Sequence, residues 1–244
     1  MSVFSQIFSE FSNIFSPWLI LYKELKLYNN INFIWDLKGK YMNDINYENL
    51  LNINTFGEEN WKDKFSHYHP YQATSYSALD TLFENYRVNE DDYIVDFGCG
   101  KGRLIFYINY YFNASCCGVE MNNDFYKTCL DNKSSYLIKN KKLKNKIKFE
   151  NTFAENYKIS LNDNKFYFFN PFSLQIFIKV IDNILDSLEA NMRPVELILY
   201  YPSSDYIYYL ENNTPFVIKR EIILDDLYTK DNNERFLVYK LAYC

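Results

Sequence analysis

The stretch Tyr93-Ile94-Val95-Asp96-Phe97 runs into Gly98-Cys99-Gly100-Lys101-Gly102-Arg103 and then into an apolar helical pattern. Three of the chain's six glycines stand at 98, 100 and 102. Glycine adopts left-handed backbone conformations without steric cost and lets another group come close to the main chain. A buried strand that turns on such glycines straight into a helix is the unit of an open, doubly wound sheet. Ligands there sit beyond the carboxyl ends of the strands. The helix that follows offers free N–H groups suited to a carboxylate or a hydroxyl-rich ligand edge.

The rest of the chain supports that architecture. After Pro70 the pattern predicts a helix over 75–86, then strands over 93–97, 115–120, 146–150, 166–169 and 195–201. Helices over 102–112, 123–140, 176–188 and 203–210 fall between and after them. Residues 216–224 and 235–241 read as a closing strand pair joined by a polar turn at Lys230 to Asn233. Alternating strands and helices require a mainly parallel sheet covered on both faces, and the closing hairpin makes at least one strand antiparallel. The expectation is an α/β fold with a doubly wound, mainly parallel, seven-stranded sheet. A helical N-terminal extension over 1–65 precedes the main domain, 66–244. Within the extension Phe4, Ile7, Phe8, Phe11, Ile14, Phe15 and Trp18 form one apolar stripe, to be packed on the main domain or on a second copy. Residues 29–64 show no clear period and read as a lid or connector.

Composition narrows the partners. A net charge of −5 opposes general binding to nucleic acid or to anionic membranes. The basic run from Lys139 to Lys148 reads as a solvated helix end and loop, with a phosphate patch as the alternative. Two histidines, His67 and His69, are too few for a multi-histidine metal site, and no metal is expected. Cysteines at 99, 116, 117, 129 and 244 lack zinc-ligand spacing and read as reduced thiols. With neither a secretory signal nor a long apolar span, a cytoplasmic protein is expected.

The glycine turn excludes two common cofactor motifs. Arg103 stands where a Gly-x-Gly-x-x-Gly dinucleotide fingerprint needs glycine, and a P-loop's Gly-Lys-Ser/Thr is absent. The pattern Asp96-x-Gly98-x-Gly100-x-Gly102 resembles the first motif of the class I S-adenosylmethionine-dependent methyltransferases, in a specific form that includes Cys99 and Arg103. The likeness covers about residues 66–244. It implies S-adenosyl-L-methionine as cofactor, held by Asp96, Gly98, Cys99, Gly100 and Gly102. It also implies that Glu120, ending Gly118-Val119-Glu120 at the second strand, accepts hydrogen bonds from both ribose hydroxyls. A solvated strand end is the alternative for Glu120, and a purely structural role the alternative for Asp96. After the third strand Phe153 and Ala154 take the adenine position, with Phe153 where an aspartate is usual in the family.

The fourth strand ends Phe169-Asn170-Pro171-Phe172-Ser173, which resembles the Asn-Pro-Pro-aromatic motif of amine-directed methyltransferases but lacks the second proline. The likeness implies catalytic positions at Asn170, Pro171 and Phe172, with Asn170 also touching the cofactor. Asn170 as a helix N-cap with Pro171 at the first helical position is the other reading. Upstream, Tyr68, Tyr71 and Thr74 either fold over the methionyl end or pack in the core, and His69 is a weak candidate base. Tyr68-His69-Pro70-Tyr71 and Tyr200-Tyr201-Pro202 also look like a little-characterised bacterial group of these enzymes. The expected function is methyl transfer to a nitrogen of a protein side chain or small molecule. An RNA methyltransferase or a non-catalytic binding protein are the alternatives, and a homo-oligomer is compatible with the sequence.

Overall fold

Strand β1 (Tyr93–Phe97) is the pivot of the sheet. It pairs in parallel with β2 (Ser115–Val119) on one side, with Asp96 opposite Gly118. In the computed structural model, which describes residues 43–57, 67–141 and 146–242, a second neighbour flanks β1. This is β4 (Lys165–Phe169), also parallel, with Asp96 opposite Tyr167. The parallel array continues outward to β3 (Ile147–Glu150) beyond β2 and to β5 (Glu196–Tyr200) beyond β4. The last strand, β7 (Arg235–Leu241), runs antiparallel between β5 and β6 (Phe216–Ile223). The full order is β3-β2-β1-β4-β5-β7-β6. The seven-stranded, doubly wound expectation is met. Strand order reverses between β1 and β4, so a crevice opens at their carboxyl ends.

Seven helices accompany the described strands: α1 (Asp44–Leu51), α2 (Tyr76–Asn85), α3 (Arg103–Phe112), α4 (Asn123–Lys139), α5 (Leu174–Ala190), α6 (Ser204–Asn213) and the short α7 (Asp225–Tyr228). Local chemistry sets their starts. The side chains of Ser75, Asn122 and Ser203 accept backbone N–H bonds from the first turns of α2, α4 and α6, each such cap contributing about 1 kcal/mol. Helix α5 buries Ile176, Phe177, Val180, Ile181, Ile184 and Leu188 along one face, the stripe predicted by their spacing. These side chains join Phe97, Phe166 and Phe168 in a single core. Burying each contributes roughly 1.5–3 kcal/mol.

Two regions differ from expectation. Residues 43–57, read from the sequence as part of a lid or connector, group in one compact unit with the described residues from 67 onward. Helix α1 belongs to it, with Tyr47, Glu48 and Leu51 buried. The polar link after β6 contains α7, which the turn prediction did not include. Residues 1–41, with the apolar stripe from Phe4 to Trp18, lie outside the described residues, as does part of the basic run after Lys139.

Candidate active site

The turn after β1 is built as its glycines require. Gly98, Gly100 and Gly102 have φ of +78°, +56° and +88°. The N–H groups of Gly98 and Cys99 donate to the Val119 carbonyl at 2.9 and 3.1 Å, which ties the turn to the end of β2. A Cβ on Gly98 would lie 2.8 Å from Pro171, and one on Gly100 only 2.1 Å from the Tyr71 ring. The close approach permitted at these two positions is therefore to Pro171 and Tyr71, which wall the crevice. Cys99 is buried behind the turn, and the Cys129 thiol donates to the Gly100 carbonyl at 3.0 Å. Both are free thiols, and the Cys99 side chain serves packing.

Glu120 follows β2 and faces the same turn. Its carboxylate accepts the Gly100 N–H at 2.9 Å and the Asn122 N–H at 2.7 Å. The group is 5% exposed, which rules out the solvated strand end. Burial pushes its pKa up to about 7, against the lowering pull of those backbone donors. Asp96 is equally buried, and burial together with the Glu120 charge pushes it up to about 8. Two buried acids with raised pKa values, of which Glu120 lines the crevice, are poised to ionise beside a cation.

One cavity joins these parts. Gly98 and Gly100 line it from the β1 turn, and Val119, Glu120 and Met121 from the end of β2. Thr152 and Ala154 close it after β3, and Phe169 and Pro171 after β4. The segment from Tyr68 to Gln72 crosses it. Phe153 stands at its rim, 39% exposed, with its ring 6.0 Å from Tyr68. The Tyr68 hydroxyl donates to Glu155 at 2.7 Å, and the Tyr71 hydroxyl to the Thr55 carbonyl at 2.8 Å. Thr74 is buried against the Tyr167 hydroxyl and belongs to the core.

The end of β4 corrects two expectations. The N-cap position of α5 is Ser173, not Asn170. Residues 67–69 run antiparallel beside 171–173: the Ser173 N–H donates to the His67 carbonyl, and the His69 N–H to the Pro171 carbonyl. That pairing needs extended chain and postpones the helix. Asn170 takes φ +38°, and among the described residues its buried Oδ1 has no partner. Phe172 is 1% exposed, packed edge-on against Tyr68 and Phe168, and its carbonyl accepts the Tyr206 hydroxyl. Without a second proline the aromatic arrives one residue early, and its ring faces the core instead of the cavity.

The sequence reading missed the clamp formed by Arg103. Buried at the start of α3, it donates to the Thr55 hydroxyl at 2.8 Å and to the Thr74 carbonyl at 3.2 Å. It pairs with Glu48 at 3.5 Å and stacks over Tyr76 at 4.5 Å. Lys101 donates to the Phe56 carbonyl at 2.8 Å. Residues 43–57 are thereby fastened to the helix that begins at the glycine turn. The signal was an arginine and a lysine inside a glycine motif, where neither is required by the turn.

The order β3-β2-β1-β4-β5-β7-β6, with a glycine turn after β1 and an acid after β2, agrees with a class I S-adenosylmethionine-dependent methyltransferase. The family described as methyltransferase domain matches residues 73–222, and the chain belongs to it. No curated protein matches the chain. Among solved structures the chain is similar to an RNA methyltransferase from Salinibacter ruber in complex with S-adenosyl-L-homocysteine. The two share 18% identity over 70% of this chain and 92% of that one, with a TM-score of 0.44. It is also similar to an rRNA methylase from Streptococcus thermophilus, with 15% identity, 66% and 92% coverage and a TM-score of 0.43. A third is geranyl diphosphate C-methyltransferase from Streptomyces coelicolor, with 9% identity, 67% and 77% coverage and a TM-score of 0.46. Among the described residues no helix is long and apolar enough to cross a membrane.

Proposed function

We propose that this methyltransferase acts on a nitrogen atom of a protein side chain or small molecule. The observation that carries the reading is Asn170. Its backbone is left-handed, its side-chain oxygen is buried and unpartnered, and it stands between two cavity residues, Phe169 and Pro171. An unsatisfied buried acceptor costs about 1–3 kcal/mol. Such a group is retained where a ligand supplies the missing donor, and an N–H is the donor that a nitrogen acceptor brings.

S-adenosylmethionine, when bound, supplies a methyl group already activated on a sulfonium. The residues present fit it. Glu120 accepts two backbone N–H bonds, and a carboxylate has about four lone-pair sites, which leaves two for the ribose hydroxyls. Val119, Met121 and Ala154 give an apolar slot for adenine, with Phe153 at its rim. Asp96 lies behind the turn, where its carboxyl ionises towards the cationic end of the cofactor. The chain's work is then to orient the acceptor and exclude water; orientation alone supplies about 7–11 kcal/mol in well-aligned reactions.

The test is incubation of cell extract with methyl-labelled cofactor and the purified protein, followed by mass spectrometry of the labelled products. Label on nitrogen of a protein or metabolite supports the reading; label confined to RNA overturns it. Asn170→Ala should keep cofactor affinity within about twofold and lose transfer by about 10²-fold or more, the loss seen when one aligned polar group is removed from a reacting centre.

A further inference from the structure

A nitrogen that arrives as an ammonium must lose a proton before it can act as a nucleophile, and the segment beside β4 carries a group placed to take it. The backbone pairing of 67–69 with 171–173 fixes His69 at the end of β4, with its N–H on the Pro171 carbonyl at 3.0 Å. In that position its Nδ1 lies 2.6 Å from the Asn170 carbonyl oxygen. A carbonyl oxygen can only accept, so Nδ1 carries the hydrogen. In a neutral imidazole the other nitrogen then holds a lone pair. The ring therefore has a fixed tautomer with Nε2 as an acceptor, and His69 lines the same cavity as Gly98, Glu120 and Pro171. His67 provides the internal contrast. Its Nδ1 meets the Ser173 hydroxyl at 3.1 Å, and that hydroxyl also makes a long 3.5 Å bond to Gln175, a weaker anchor than a backbone carbonyl at 2.6 Å.

The neighbouring acceptors at this end are already engaged. The Pro171 carbonyl receives the His69 N–H, and the Phe172 carbonyl receives the Tyr206 hydroxyl. Among the described residues Asn170 Oδ1 is left without a partner, on the residue whose carbonyl holds His69 Nδ1.

We infer that His69 is the proton acceptor for a primary amine substrate, a refinement that rests on the nitrogen-acceptor reading above. One N–H bond of the ammonium breaks, its proton passes to Nε2, and the electron pair stays on nitrogen as the nucleophile. The imidazolium so formed returns its proton to water. The Nδ1–H bond to the Asn170 carbonyl holds the ring in place throughout and couples the base to the residue that positions the amine.

The experiment has a part independent of turnover. Nitrogen-15 NMR of the purified protein shows the ring nitrogens of only two histidines, and His69→Asn assigns them. His69 should show hydrogen on Nδ1 and a bare Nε2. Its Nε2 signal should shift when n-butylamine is added with S-adenosylhomocysteine. A ring with hydrogen on Nε2 overturns the inference. For turnover, methyl-labelled S-adenosylmethionine is offered to n-butylamine and, in parallel, to total RNA. His69→Asn keeps an amide donor where Nδ1 stood. It should retain cofactor affinity within about twofold and transfer label to the amine about 10²-fold more slowly, the lower end of what general bases supply. Free imidazole should restore part of the rate in His69→Gly. Undiminished amine labelling by His69→Asn removes His69 from the mechanism and leaves the nitrogen reading standing. Label in RNA with none in the amine brings down both.

Discussion

Two buried charge clusters, one at each end of the parallel sheet, behave in opposite ways. At the amino ends of the strands, Lys165 opens β4 and Glu196 opens β5, paired at 3.2 Å, with Asp92 at 3.7 Å from the same ammonium. Tyr86 and Lys219 also donate to Glu196. Burial pushes the Glu196 carboxyl up, but those donors and the Lys165 charge outweigh it and hold it below the usual range. At the carboxyl ends, Glu120 and Asp96 have no cation against them among the described residues, and burial pushes them up to about 7 and about 8. Left-handed Asn170 and its orphaned oxygen lie at that same end. Asp163, just before β4, is also buried, with one oxygen unpartnered among the described residues and its carboxyl pushed up by burial. It is therefore the place of the short groups in the crevice at the carboxyl ends, and not the shortfall alone, that points to a ligand.

The contrast can be broken by exchanging the behaviour of its two ends. Lys165→Met strips a buried cation from Glu196 and Asp92, and should cost about 3 kcal/mol of folding stability. Cofactor affinity should stay unchanged, as read by chemical denaturation beside calorimetry; a loss of affinity equal to the loss of stability would erase the distinction. Glu120→Gln should do the reverse. It should weaken cofactor binding at least tenfold, about 1.4 kcal/mol, while at pH 8 the relief of a reluctant carboxylate offsets much of the cost of the one backbone N–H that an amide nitrogen cannot accept. Gly100→Val is a poorer probe of the same site, since its side chain would strike Tyr71 whether or not a ligand is present.

The smallest effect is with pH. Folded Asp96 and Glu120 keep protons that the unfolded chain releases near its ordinary carboxyl values of 3.8 and 4.5. Their contribution to stability is therefore complete below about pH 4 and lost as pH rises through about 7 to 8. The melting temperature of the ligand-free protein should fall between pH 6 and 8, less steeply in Asp96→Asn. Affinity for S-adenosylmethionine should rise over the same interval, more than for S-adenosylhomocysteine, which lacks the sulfonium charge. Identical slopes in wild type and Asp96→Asn would show that Asp96 is already ionised.

Much of this was legible before any coordinates. Tyr93 to Phe97 and Arg235 to Leu241 are strands to the residue, because alternation and length leave little choice there. Glu120 was singled out by the family likeness, and its carboxylate faces the Gly100 turn. What escaped was polar or positional. Helix α1 turns Glu48 inward to meet Arg103, Tyr76 and Thr55, and a buried carboxylate is invisible to a search for apolar periodicity. Asn170 and Ser173 are both favoured helix caps; only the pairing of 67–69 with 171–173, a contact about a hundred residues apart, decides between them. The same pairing sends the Phe172 ring into the core. Sequence locates a site's frame more readily than the segment that crosses it.

The outer margin of the sheet carries a consequence of its own. Strand β6 shifts register between Ile218 and Arg220, and its middle residues are exposed. From it Lys219 reaches Glu196, Arg220 reaches the Asn85 carbonyl, and Glu221 takes Arg235 at 2.7 Å. A second molecule seeking to extend the ladder would meet a kinked rail guarded by three engaged ions, and would have to unfasten them first. The engaged ions and the register shift thereby blunt an edge that still exposes Val217, Ile218 and Ile223.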